Sequence, residues 1–245
     1  MDVDPWTWSF GLATATALLA GIVRGFSGFG AAMILVPVLA ILYGPRVAVP
    51  VLLLVDIVLT VPMVVTAVRR CAWGEVLPLV VGFVVTLPLG VYLLLVADPR
   101  LLTQAMAAVV LLVAVAMALG LRRTAPPGRP ATLATGAASG LLAGSTGIGG
   151  PPVILFWLSG QDAAARTRAN IVVFFGFTGV AALIGFAGAG VLTANVWLLT
   201  ALLMPTYGLG LWLGARAFGR TGDAVYRRIA LAVIAAVGCG TLAFA

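Results

Sequence analysis

The sequence predicts an all-α polytopic membrane protein, an inverted repeat of two halves, each a glycine-broken helical hairpin followed by three transmembrane helices. Three observations support this fold class: the chain is very apolar, its apolar stretches have membrane-spanning length, and a glycine cluster occurs twice. Of the 245 residues, 62% are hydrophobic and only 9% are charged, whereas soluble domains carry about 25% charged residues. This composition excludes a water-soluble globular protein.

Eight apolar stretches follow one another along the chain. They cover residues 6–43, 47–68, 75–96, 101–120, 131–159, 169–187, 191–215 and 225–244. A helix needs about 20 residues to cross a bilayer, and six of the stretches have this ordinary length. The first and fifth are longer, and each contains a glycine cluster that a continuous helix resists. We therefore predict that these two stretches are broken into two helical arms.

The two glycine clusters repeat one another. The first cluster is Gly21, Gly25, Gly28 and Gly30, and the second, at an offset of 119 residues, is Gly140, Gly144, Gly147 and Gly149. At an offset of 120 residues, Leu89-Gly90 matches Leu209-Gly210 and Arg100 matches Arg220. These matches indicate an internal duplication. The first repeat covers residues 1–120 and the second residues 131–245, with a linker at 121–130.

The arginines predict the topology, because all 14 basic residues are arginine. If each broken stretch crossed the membrane once, the loop arginines would divide as eight against five. If each stretch enters and leaves by the same side, they divide as eleven against two, with Arg46 and Arg100 on the outer face. The second division agrees with the positive-inside rule. The halves are then inverted, the linker is cytoplasmic and both termini face outward. Re-entrant and fully spanning hairpins both satisfy this count.

The glycine breaks are the predicted binding site. Irregular backbone at membrane depth is tolerated only where it is buried or lines a polar cavity. We expect a new helix to begin near Gly28 in the first repeat and near Gly150 in the second, where Pro151 and Pro152 suit a first helical turn. The unpaired N–H groups and the dipole at such helix starts attract anions. Two helix starts facing each other near the midplane predict an anion site.

The side chains at the breaks agree with an anionic ligand. The hydroxyls of Ser27, Ser145 and Thr146 can donate hydrogen bonds without adding charge, and Arg24 adds a positive charge at membrane depth. Two alternatives stay open: the hydroxyls serve only the broken backbone, or Arg24 reaches an interface or pairs with an acid. The predicted substrate-binding residues are Arg24, Phe26, Ser27, Gly28, Phe29, Gly30, Ser145, Thr146, Gly147, Gly149, Gly150 and Asn170.

Other residues within the spans have two interpretations each. Asp56 is a costly carboxylate in an apolar span, and it either carries a coupled proton or pairs with Arg24. Asn170, at the start of the span 169–187, either reaches the cavity or caps a helix end. The outer glycines of each cluster are expected to serve close helix packing. They are Gly21, Gly25, Gly140 and Gly144.

The residue types that the sequence lacks exclude several chemistries. The chain has no histidine, which excludes a Ser-His dyad, a histidine metal ligand and a histidine proton relay. Gly25-Phe26-Ser27-Gly28 is similar to the nucleophile motif of rhomboid intramembrane proteases, but those enzymes need a histidine base. Cys71 and Cys239 are too few for a cysteine metal site. The sequence therefore predicts no enzyme, no metal and no cofactor.

Three motifs stand out in the chain: G-F-S-G-F-G at 25–30, G-S-T-G-I-G-G-P-P at 144–152 and R-T-R-A-N at 166–170. With these motifs the chain resembles the TauE/SafE sulfite exporters, also described as the toluene sulfonate uptake permease family. The resemblance covers essentially the whole chain. It implies transport, usually export, of sulfur-containing anions such as sulfite, sulfoacetate or other organosulfonates. Asp56 is not carried over from the family motif.

These observations lead to one functional hypothesis and one alternative. The hypothesis is a secondary transporter in a bacterial inner membrane, with one repeat rocking against the other about the anion. The alternative is an anion channel that uses the same glycine-rich segments as a filter. The expected partners are a small anionic substrate and the lipid bilayer. No nucleic-acid partner is expected, because the arginines lie between apolar stretches rather than forming one basic face. Homo-oligomer formation stays open.

Overall fold

The computed structural model describes residues 7–118, 128–160 and 162–218, and their regular structure is entirely α-helical. The helices are α1 (Trp8–Ser27), α2 (Ala31–Tyr43), α3 (Pro45–Ala67), α4 (Trp73–Val96), α5 (Pro99–Ala118), α6 (Arg129–Thr146), α7 (Gly150–Leu158), α8 (Ala164–Gly188) and α9 (Ala194–Phe218). The predicted span 225–244, Cys239 and most of the predicted linker lie outside the described residues.

Five of these helices, α1, α3, α4, α8 and α9, are long and apolar enough to cross a membrane. They contain 20 to 25 residues, which corresponds to about 30 to 38 Å at 1.5 Å per residue. Large apolar side chains such as Val65, Val85 and Ile184 are exposed on them, as expected for helices that face lipid. The predicted all-helical, multi-pass architecture is confirmed for the described residues.

A change of helix occurs at both glycine clusters. Gly28 and Gly30, between α1 and α2, have φ angles of 82° and 93°, and Gly147, after α6, has a φ angle of 72°. Glycine tolerates this left-handed region without the steric cost that a side chain brings. α7 begins at Gly150 as expected, with prolines in its first turn. α2 begins at Ala31 rather than near Gly28, because the left-handed backbone delays the helix by three residues.

The helices pack most closely in two pairs, α1 with α9 and α4 with α6. In both pairs, glycines bring the two backbones together, and a side chain at these positions would meet the backbone of the partner helix. The glycines are Gly21, Gly25, Gly210 and Gly214 in the first pair and Gly82, Gly90, Gly136, Gly140 and Gly144 in the second. The packing role expected for Gly21, Gly25, Gly140 and Gly144 is confirmed.

α3 and α8 connect the two pairs. They pack against each other, and α3 also contacts α9 while α8 contacts α4. The short helices α2 and α7 pack on α3 and α8, respectively, and each also contacts the helix that precedes it. The starts of α2 and α7 are thereby held inside the bundle, where Phe29 and Ile148 are fully buried.

Candidate functional site

A cavity of about 100 Å³ lies inside the bundle, and the starts of α2 and α7 both line it. Gly30 to Met33 contribute from the first break, and Gly147 to Gly150 contribute from the second. One water molecule needs only about 10–15 Å³ of such space. The cavity is therefore large enough for a small solute.

The two helix starts make the cavity electropositive. The first turns of α2 and α7 contain no acidic residue. Each helix start carries about half a positive charge and N–H groups that lack a partner within the helix. Pro151 and Pro152 have no N–H group, so the donors at the start of α7 come from the glycines that precede them. This arrangement suits an anion.

Arg24 and Asp56 form an ion pair at the same cavity, in which Arg24 is only 2% exposed and Asp56 is partly buried. Arg24 Nε donates to Asp56 Oδ1 and Arg24 Nη2 to Asp56 Oδ2, each at 2.8 Å. Arg24 Nη1 donates to the carbonyl oxygen of Gly28. The pairing that the sequence left open is therefore present.

Tyr207 completes this arrangement from α9. Its hydroxyl donates to Asp56 Oδ1 at 2.6 Å, and the side chain is fully buried. The sequence gives only a weak signal for Tyr207, which lies in the middle of an apolar span. Tyrosines in membrane helices usually lie near the membrane interface, so its central position is the one feature that sets it apart.

The hydroxyls at the breaks bond to the backbone in matching ways. Ser27 Oγ accepts from the Phe29 N–H, and Thr146 Oγ1 accepts from the Ile148 N–H, both at 3.2 Å. Ser145 Oγ donates to the carbonyl oxygen of Leu141 at 2.8 Å. These bonds satisfy backbone groups where the helices end, which was the alternative to ligand binding. Direct contact between these hydroxyls and a substrate stays a prediction.

Seven of the residues predicted from the sequence line the cavity. They are Arg24, Phe29, Gly30, Asp56, Gly147, Gly149 and Gly150. Phe26, Ser27, Gly28, Ser145, Thr146 and Asn170 do not belong to its lining among the described residues. Phe26 instead packs edge-on against Phe218, with ring centroids 6.1 Å apart.

Asn170 is completely buried, but it serves a neighbouring helix. Its Oδ1 accepts a hydrogen bond of 2.7 Å from the Ala72 N–H, at the start of α4. Its Nδ2 has no partner among the described residues. Asn170 therefore caps α4 rather than its own helix.

Two further polar contacts, not expected from the sequence, connect helix ends. Arg168, in the first turns of α8, donates to the carbonyl oxygens of Gly25 and Phe26 at the end of α1. Trp157 Nε1 donates to Glu75 Oε2 at 2.8 Å and so joins α7 to α4. A cation at a helix end compensates the negative end of the helix dipole. Arg168 therefore stabilises the segment of α1 that carries Arg24.

A comparison with protein families finds one match that covers nearly the whole chain. The family model for the sulfite exporter TauE/SafE matches residues 13–241. This range contains both glycine clusters and every residue that lines the cavity. No curated protein and no solved structure matches the chain.

Proposed function

Because the chain belongs to the TauE/SafE sulfite exporter family, we propose that it exports a small sulfur-containing anion, such as sulfite, sulfoacetate or another organosulfonate, across a bacterial inner membrane. The observation that carries this proposal is the convergence of two helix starts and a buried arginine on one cavity. The anion binds between the starts of α2 and α7, where backbone N–H groups and Arg24 compensate its charge.

The apolar part of the cavity lining favours an anion that carries an organic group. Phe29, Phe83, Phe175 and Phe186 contribute aromatic rings, and the remaining side chains are mostly aliphatic. An inorganic anion would lose hydration against these rings without a compensating contact. An organosulfonate places its oxygens at the helix starts and its carbon atoms against the rings. We therefore propose an organosulfonate as the preferred substrate over sulfite.

Transport follows from alternating access about the site, and the helix pairs suggest which parts move. The duplication makes α1 the counterpart of α6 and α4 the counterpart of α9. The pair α1–α9 then corresponds to the pair α6–α4, as expected if the two halves are a repeat. Both pairs join helices from different repeats. We therefore propose that the two pairs move as units, in place of one repeat rocking against the other.

Anion binding is the first test of this proposal. Sulfite, thiosulfate, sulfoacetate, taurine and sulfate are added separately to the purified protein, and thermal unfolding is recorded. A bound ligand at one hundred times its Kd stabilises the folded state by about 2.7 kcal/mol, so we expect a sulfonate to raise Tm by several degrees. If none of the five compounds changes Tm, the anion site is contradicted.

Flux through liposomes separates a carrier from a channel. A carrier gives saturable flux and counterflow of labelled anion against unlabelled anion. Large single-channel currents would instead support the anion channel and contradict alternating access.

Thiol labelling tests the proposed topology. Cys71 follows Arg69 and Arg70 between α3 and α4, on the face that the arginine distribution makes cytoplasmic. In a Cys239→Ser background, a membrane-impermeant maleimide should label Cys71 only after the cytoplasmic face of the membrane is made accessible to the reagent. A cysteine placed at the exposed Arg100 should react from the outside. Labelling of Cys71 in intact cells would contradict the inverted topology.

The pH dependence of the labelling provides an internal check. Burial raises the pKa of the Cys71 thiol, and the thiolate is the reactive form. Its labelling rate should therefore be lower than that of an exposed thiol at neutral pH. It should also continue to rise at a pH where the cysteine at position 100 has already reached its maximal rate.

A further inference from the structure

Arg24, Asp56 and Tyr207 form a polar cluster that has no polar equivalent at the matching positions of the two repeats. The three residues come from α1, α3 and α9 and are joined by the hydrogen bonds described above. At the offsets of 119 and 120 residues that align the two repeats, their counterparts are Ala143, Gly176 and Leu87. None of these counterparts carries a polar side chain. The helix starts therefore occur in both halves, whereas the polar cluster, built from both halves, occurs once.

The formal charges of Arg24 and Asp56 cancel each other before any ligand binds. The positive charge of Arg24 is compensated by Asp56, through both carboxylate oxygens. An anion added at Arg24 would bring a second negative group beside the carboxylate, and two like charges in contact are costly in apolar surroundings. The cost disappears if the carboxylate becomes neutral as the anion arrives.

Few other groups are in a position to compensate this charge. Among the described residues, Arg24 and Tyr207 are the titratable groups that bond to Asp56. Beside it, α2 and α8 contribute uncharged side chains such as Met33, Phe175 and Thr178. The titratable side chains of α4 and α5 are occupied or exposed elsewhere: Glu75 bonds to Trp157, and Tyr92 and Arg100 are exposed.

We propose that the substrate anion and Asp56 exchange places at Arg24, and that Asp56 takes up one proton in this exchange. The inference rests on the proposed function and adds its coupling. The proton comes from the water on the side to which the site is open. It neutralises Asp56, the guanidinium is released to the anion, and the neutral carboxyl group stays hydrogen-bonded to Tyr207. Tyr207 is thus a positioning residue, which holds Asp56 in either state.

The exchange makes transport electrically neutral. The empty site holds Arg24 with an ionised Asp56, and the loaded site holds Arg24, a singly charged anion and a neutral Asp56. The net charge of the cluster is the same in both states. One proton therefore crosses with each anion, and a membrane potential alone does not drive the flux.

The first measurement is the pH dependence of binding, with methanesulfonate as the probe, because its single negative charge does not change with pH. If one proton binds with each anion, Kd should rise about tenfold per pH unit above the midpoint. In Asp56→Asn this slope should disappear. Binding that does not depend on pH in the wild-type protein would overturn the exchange.

Tyr207→Phe keeps the ring and removes the hydroxyl, so it tests the positioning role without a large change in packing. The hydroxyl donates to the carboxylate. Its loss should change the midpoint of binding. Tyr92→Phe, at an exposed position on α4, is the matched control and should leave the midpoint unchanged. An unchanged midpoint in Tyr207→Phe would contradict the positioning role.

Liposome flux separates failure of this inference from failure of the proposed function. Methanesulfonate flux in the wild-type protein should respond to a pH gradient and not to an imposed membrane potential. If the flux instead depends on the membrane potential as expected for the movement of one net negative charge, the exchange is overturned and the transporter proposal still holds. If methanesulfonate neither binds nor moves, the proposed function fails and the exchange fails with it.

Discussion

Replacing Gly25 by alanine is expected to prevent α1 and α9 from packing at their present distance. A Cβ atom at this position would lie 2.8 Å from the backbone nitrogen of Ala215 and still closer to the carbonyl oxygen of Leu211. Backbone atoms cannot turn away as a side chain can, so the helices must separate. Overpacking typically costs about 1–3 kcal/mol, and we expect a loss near the upper end of this range in the free energy of unfolding.

Gly11→Ala is the matched control, because Gly11 lies in the same helix and a Cβ atom there meets nothing within 4 Å. Alanine is the better helix former by about 1 kcal/mol, so this variant should be as stable as the wild-type protein or more stable. Unfolding of both variants is followed by tryptophan fluorescence in detergent. Equal stability of Gly25→Ala and Gly11→Ala would contradict the close contact between α1 and α9.

The contact between α4 and α6 should respond in the same way. Gly140→Ala would meet the carbonyl group of Phe83, whereas Gly74→Ala, in the first turn of α4, would meet nothing. If the two helix pairs are equivalent, Gly140→Ala should cost about as much as Gly25→Ala. A large loss in one pair only would argue against the pairs acting as equivalent moving units.

The sequence could predict that the glycines break helices and pack closely, but not which helices they join. The spacing of the glycines within one helix indicates a face without side chains, against which another helix can pack closely. Its partner depends on the rest of the bundle, and Gly25 lies 189 residues from Gly214 along the chain. The start of α2 was missed for a local reason. Two left-handed glycines close together delay the helix, and a backbone angle of this kind has no distinct residue signal beyond glycine itself.

The sequence singles out the charged residues that line the cavity, but not all of the neutral groups beside them. Arg24 and Asp56 stand out because an ionisable residue is expensive in an apolar span. Tyr207 carries no charge, and an apolar span tolerates its ring, so only the fold reveals that its hydroxyl reaches Asp56. Asn170 shows the opposite case: a polar residue predicted to reach the cavity bonds to the α4 start instead.

Arg24→Ala is the second variant with a large expected effect, on stability as well as on binding. It removes both hydrogen bonds to Asp56 and leaves a carboxylate with Tyr207 as its remaining described partner. Breaking a fully buried ion pair by removing one partner costs about 3–5 kcal/mol, and because Asp56 is partly exposed, we expect a loss toward the lower end of this range. We therefore expect a much lower Tm and no anion-dependent rise in Tm. This result alone does not separate an anion ligand from a structural partner of Asp56.

The double variant Arg24→Met with Asp56→Asn makes that distinction. Replacing both members of a buried pair by neutral groups of similar size is often neutral for stability, and the amide oxygen introduced by Asp56→Asn can still accept a hydrogen bond from Tyr207. The double variant should therefore recover most of the lost stability. Asp56→Asn alone keeps the guanidinium and should bind sulfoacetate at least as well as the wild-type protein does.

Anion binding by the stable double variant then decides what Arg24 contributes. If Arg24 is a ligand, sulfoacetate should not stabilise the double variant, although it stabilises Asp56→Asn. If sulfoacetate stabilises both variants equally, the helix starts of α2 and α7 bind the anion by themselves, and Arg24 serves only to compensate Asp56. In that case the exchange at Arg24 has no physical basis, since an anion that does not contact the guanidinium cannot compete with the carboxylate for it.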